Sequence, residues 1–141
     1  MLASRSRIVP RTAGIAILGI CGCASPTETP PPSGGSRFVL SFEGYRDRVA
    51  PVLARHGCDA GGDCHGGGIR GTLELSPSGA KDDRFDFEQV ALQVKGEDPG
   101  RSPLLTKPLA GEEPHAVEPF TTPEDPDYRT ILAWIEEGAF E

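Results

Sequence analysis

The chain has 141 residues with 21 acidic against 14 basic side chains, a net charge of −7. An excess of negative charge disfavours nucleic acid and anionic membrane surfaces as partners and steers instead toward a basic one. Only four cysteines, three histidines and a single methionine are present, so any metal or cofactor chemistry has few residues to draw on.

The first residues read as an export signal rather than as part of a fold. Arg5, Arg7 and Arg11 make a positive start and Ala13 to Ile20 a short apolar core. That core falls short of the ~20 apolar residues a bilayer span requires. It ends in Ile20-Cys21-Gly22-Cys23, which resembles a bacterial lipobox, with residues 1–22 as the cleaved signal and Cys23 as the acylated residue. An ordinary secretory signal with two incidental cysteines is the alternative. Cleavage before Cys23 would remove three basic and no acidic residues, moving the net charge from −7 to −10. Residues 23–36, with Pro26 and Pro30-Pro31-Pro32, are rich in Pro, Ser, Thr and Gly and read as an extended tether. The expected location is outside the cytoplasm on a lipid anchor, at the periplasmic or outer-membrane face.

Residues 37–141 are long enough for one small domain. Phe38, Leu40 and Phe42 alternate briefly, and Tyr45, Val49, Val52 and Leu53 then recur at helical spacing up to Gly57. Pro51 predicts a kink, or two short helical pieces meeting there. The stretch Gly71-Thr-Leu-Glu-Leu-Ser76 reads as extended or irregular. Asp86 and Gln89 form a candidate capping box for a helix carrying Phe87, Val90, Ala91 and Val94 and ending at Gly96. Ser102-Pro103 predicts a further turn bearing Leu104 and Leu105. The clearest helix is the last, capped by Asp125, opened by Pro126, striped by Tyr128, Ile131, Leu132 and Ile135, and closed at Gly138. No strand signal is strong enough to build a sheet around, and no repeat is visible.

The chemistry concentrates in Gly57-Cys-Asp-Ala-Gly-Gly-Asp-Cys-His-Gly66. A cysteine followed at once by histidine, with a second cysteine upstream, is the pattern for attaching c-type haem: the thiols of Cys58 and Cys64 bond the porphyrin and His65 ligates iron. The usual gap between the cysteines is two residues and here it is five. Gly61 and Gly62 make an outward bulge feasible, and glycines 66, 67 and 68 would let backbone approach a flat group closely. Outside the cytoplasm the two thiols should be either bridged or bonded to a cofactor.

The ordered blocks Val49-Ala-Pro-Val-Leu53, Gly57-Cys58, Cys64-His65-Gly66, Gly71 to Ser76, Ser102-Pro-Leu-Leu105 and Trp134-Ile-Glu-Glu-Gly-Ala139 resemble the planctomycete-type cytochrome c domain. The resemblance runs from about Arg46 to Ala139. It implies an all-α, small cytochrome c-like fold with irregular loops around one covalent haem c, working as a one-electron carrier rather than an enzyme and serving a redox partner protein. The only methionine, Met1, is lost on export, so the second axial ligand falls to His115 in Glu113-Pro-His115, matching the family's histidine-bearing variant. Two histidine ligands give a lower potential than a His/Met pair. Leu73, Leu75, Leu104 and Leu105 would line the pocket. His56 reads as a helix-terminal residue, and Trp134 and Tyr128 as core.

Two alternatives stay open. Cys58 and Cys64 could close a disulfide in a haem-free lipoprotein with a binding or structural role. Cys58, Cys64, His65 and His115 could instead hold zinc, although adjacent Cys and His side chains seldom ligate one metal together. Hydrolytic motifs are absent: there is no nucleophile elbow, no zinc-protease helix and no Walker lysine beside the glycines.

Overall fold

The computed structural model describes residues 35–62, 64–68 and 71–141. Except for residues 35 and 36, the segments expected to be an export signal (1–22), an acylated Cys23 and a tether (23–36) lie outside the described residues. The unit built from them begins at Gly34 and runs to Glu141. No helix among them is long and apolar enough to cross a membrane.

In chain order the elements are strand β1 (Phe38–Val39), helix α1 (Phe42–Gly44), a π-helical stretch (Tyr45–Val49), α2 (Ala50–Arg55), α3 (Asp83–Ala91), a 3-10 turn (Pro99–Arg101), α4 (Pro103–Thr106), α5 (Pro126–Glu136) and β2 (Ala139–Phe140). At Pro51 two short helical pieces meet as expected, the π-helical stretch ending at Val49 and α2 starting at Ala50. Lacking an N–H and crowding the carbonyl four residues back, proline strains an α-helix. The turn before it is widened, with the Ala50 N–H reaching back five residues to the Tyr45 carbonyl, and α2 then starts with proline in its first turn.

The core is where the π-helical stretch and α5 face each other. Trp134, Ile131 and Ile135 from α5 are fully buried with Tyr45 and Val49, and Val90, Leu105 and Leu75 complete the cluster. Tyr45, Phe87 and Trp134 pack as mutually tilted rings 5.7–6.4 Å apart. The indole N–H donates to the Ser41 carbonyl at 2.9 Å, so the largest core side chain leaves no polar group unpaired.

Helix α5 forms as its sequence predicts, with the Asp125 carboxylate accepting from the Asp127 N–H and Pro126 opening the helix. It stops one residue early, with Glu137 as its C-cap. Gly138 serves packing instead: a Cβ there would lie 2.4 Å from the Phe38 ring. That ring is carried by β1, which pairs antiparallel with β2 in the register Phe38↔Phe140 and Val39↔Ala139. This two-residue ribbon is the one sheet among the described residues, and the helices carry the core.

The capping box at Asp86 is corrected by the structure. Helix α3 is capped by Asp82, whose carboxylate accepts from the Arg84 and Phe85 N–H groups, and it ends at Ala91 rather than Gly96. Asp86 sits inside the helix, fully buried, and accepts from the Ser76 backbone N–H at 2.5 Å, the Ser76 hydroxyl at 2.8 Å and Lys81 Nζ at 2.5 Å. A buried carboxylate needs such partners. Its effect is to pin Ser76 and Lys81 onto α3.

Candidate cofactor site

The wide cysteine loop is closed at its base by backbone bonds. Cys58 N–H donates to Leu53 O, which continues the turn from α2, and His65 N–H donates to Cys58 O at 2.9 Å. Between these ends Asp59 is buried while Gly61 and Gly62 are exposed. Gly66 N–H donates to Ala60 O, and Leu75 N–H to His65 O, so the histidine is held from both sides. Asp59, buried at the start of the loop, lies 3.3 Å from Lys81 Nζ, the ammonium that also contacts Asp86.

The glycines shape this loop rather than its cavity. A Cβ on Gly66 would come within 1.8 Å of the Asp59 carbonyl oxygen, so the loop folds against its own backbone there. Gly62 and Gly67 have φ of +77° and +80°. The glycines on the cavity wall are Gly57 and Gly71.

A cavity of about 350 Å³ brings together Cys58, Cys64, His65 and His115. Its walls include Leu53 from α2, Leu73 and Thr72 from the extended segment, Pro103 and Leu104 from α4, and Pro114, Val117 and Pro119 from the loop before α5. Leu73 and Leu104 thus line it as expected, while Leu75 and Leu105 lie in the core. Among the described residues no carboxylate lines it, and Lys107 is its one lysine or arginine. A second depression of about 370 Å³ beside Arg48, Arg129 and Glu136 has no cysteine or histidine on its wall.

The two histidines face each other with ring centres 6.0 Å apart and planes 27° from parallel. His65 Nδ1 meets the Leu73 carbonyl at 3.0 Å, and because a carbonyl only accepts, Nδ1 carries the proton and Nε2 keeps a free lone pair. His115 Nδ1 lies against both the carbonyl and the N–H of Val117, so its tautomer is not fixed by these contacts. For His65 this is the arrangement that orients a histidine for ligation through Nε2.

The cysteines are unbridged and partly buried. Burial pushes the Cys58 thiol up to about 11, and the neighbouring Asp59 and Cys64 add to the rise. Among the described residues no group of three or more His, Cys, Asp and Glu side chains converges as a metal-binding cluster, which gives a tetrahedral site for zinc no support.

His56 lies on the cavity wall at the end of α2 but is otherwise engaged. Its Nε2–H donates to Asp127 Oδ2 at 2.8 Å and its ring meets Phe120 edge-on, which ties α2 to the start of α5. The Arg55 guanidinium beside Asp127 holds that carboxyl below its ordinary value, with His56 contributing. Reading the sequence missed Gln93, a buried side chain on the cavity wall. It falls beyond the end of α3 and in no motif, so spacing gave no signal for it. Compared with known proteins, the chain matches no family model, no curated protein and no solved structure.

Proposed function

We propose that the chain is an exported, lipid-anchored electron carrier holding one haem c, with Cys58 and Cys64 as thioether anchors and His65 and His115 as axial ligands. When bound, the haem supplies one-electron chemistry between ferric and ferrous iron. The observation that carries this reading is that one cavity gathers Cys58, Cys64, His65 and His115, with His65 Nδ1 turned to the Leu73 carbonyl so that its Nε2 is left as a donor.

The remaining features fit the same group. Two thiols on the wall beside His65 match the attachment chemistry, and the apolar lining would exclude water from a porphyrin. Lys107 on the wall suits a ligand that bears acidic groups at its edge. With His65 and His115 both holding it, the group would supply electron transfer rather than substrate turnover. Electrons would pass to and from a redox partner protein, for which the net negative charge favours a basic surface.

The test is the absorption spectrum of the full chain exported by cells that mature c-type cytochromes. A low-spin spectrum retained after acid-acetone extraction is expected. His65→Ala should abolish it, and His115→Ala should convert it to a high-spin form that binds carbon monoxide. A colourless product from such cells would refute the reading.

A further inference from the structure

Gln93 stands just past α3 with 6% of its surface exposed, and its amide spends both ends on one residue. Nε2 donates to the Thr72 carbonyl at 2.8 Å and Oε1 accepts from the Thr72 hydroxyl at 2.9 Å. Its backbone carbonyl accepts from the Leu104 N–H at 3.1 Å. One residue therefore joins three walls of the cavity: the end of α3, the segment 71–75 and α4.

The residue after Thr72 is the one whose carbonyl receives the His65 Nδ1 proton. Segment 71–75 is anchored at its far end by Leu75, which exchanges backbone bonds with His65 and Gly67, and by Ser76, held by Asp86. At its near end the hold comes from the amide of Gln93. The Leu73 carbonyl sits in the next peptide, between the Thr72 group that Gln93 holds and the anchored Leu75, so its direction depends on both holds.

We propose that Gln93 is a positioning residue for His65: by gripping Thr72 it aims the Leu73 carbonyl at Nδ1, and so fixes the tautomer, the orientation and the donor strength of the imidazole toward iron. The assignment rests on the haem reading above. A firm Nδ1–H···O bond makes the imidazole more electron-rich and favours ferric iron, so loosening it raises the reduction potential.

The experiment compares the haem-loaded full chain with Gln93→Met, which keeps the length and removes both bonds, and with Thr72→Val, which removes only the hydroxyl bond. Both should remain low-spin and shift the potential positively, Gln93→Met further than Thr72→Val. Nitrogen NMR of the haem-free chain should report His65 as the Nδ1–H tautomer and as a mixture in Gln93→Met. A lowered thermal midpoint with unchanged potential and unchanged tautomer would overturn the proposal, leaving Gln93 a packing residue. Should Gln93→Met fail to fold, an unmoved potential in Thr72→Val overturns it. A wild-type chain that never acquires haem would refute the functional reading, while the tautomer measurement still decides whether Gln93 governs His65.

Discussion

Gly66→Ala tests whether the five-residue gap is accommodated by a loop folded on its own backbone. The added Cβ would sit 1.8 Å from the Asp59 carbonyl oxygen and 2.8 Å from that of Ala60. Backbone cannot rotate away as a side chain can, and relief to about 3.2 Å calls for a shift of more than 1 Å, beyond what a hydrogen bond tolerates. The bonds at stake are His65 N–H to Cys58 O, Gly66 N–H to Ala60 O, Gly67 N–H to Leu75 O and Leu75 N–H to His65 O. At about 1 kcal/mol each, losing two to four of them costs about 2–4 kcal/mol, a large share of the ~5–15 kcal/mol that holds a domain together. Urea unfolding of the variant should show that loss, and His65 should be displaced from its Leu73 contact. A change within ~0.5 kcal/mol, the range of an ordinary surface substitution, would refute the loop geometry.

Two further outcomes follow from buried groups. Asp86→Ala strips the Ser76 N–H and hydroxyl and the Lys81 ammonium of their acceptor, and urea unfolding should register about 2–4 kcal/mol of destabilisation; a loss near zero would mean that Ser76 and Lys81 are held otherwise. For Cys58, the rise from 9.0 to about 11 implies roughly 100-fold less thiolate in the folded haem-free chain at pH 8 than in the unfolded one, and alkylation slower to match. Because folding favours the protonated thiol, this contribution to stability is complete below pH 9 and is lost as pH rises toward 11. Equal alkylation rates in the folded and unfolded chain would contradict the burial of that thiol.

Much of the site was legible because its chemistry is local. Cys58, Cys64 and His65 are near neighbours in sequence, and His115 emerged once Met1 was discounted. The last helix could be read because Asp125, Pro126 and the stripe through Ile131 and Ile135 act within a few residues. What escaped depends on contacts across the chain. Asp86 looks like a cap from its spacing to Gln89, but its partners are Ser76 and Lys81 and the cap is Asp82. Gln93 acts on Thr72, 21 residues earlier, and Gly138 is required by the ring of Phe38. None of these leaves a periodic trace. Pro51 marked where two helical pieces meet, but its presence does not specify that the first of them is π-helical.

Tryptic cleavage after Arg55 and Arg70 releases residues 56–70, which hold both cysteines and His65 in a single peptide. Its mass, taken from protein exported by cells that install c-type haem, tests the central claim most directly. The expected value is that of the peptide with one haem added through two thioether bonds. A peptide lighter by two hydrogens, or one with two free thiols, would contradict it.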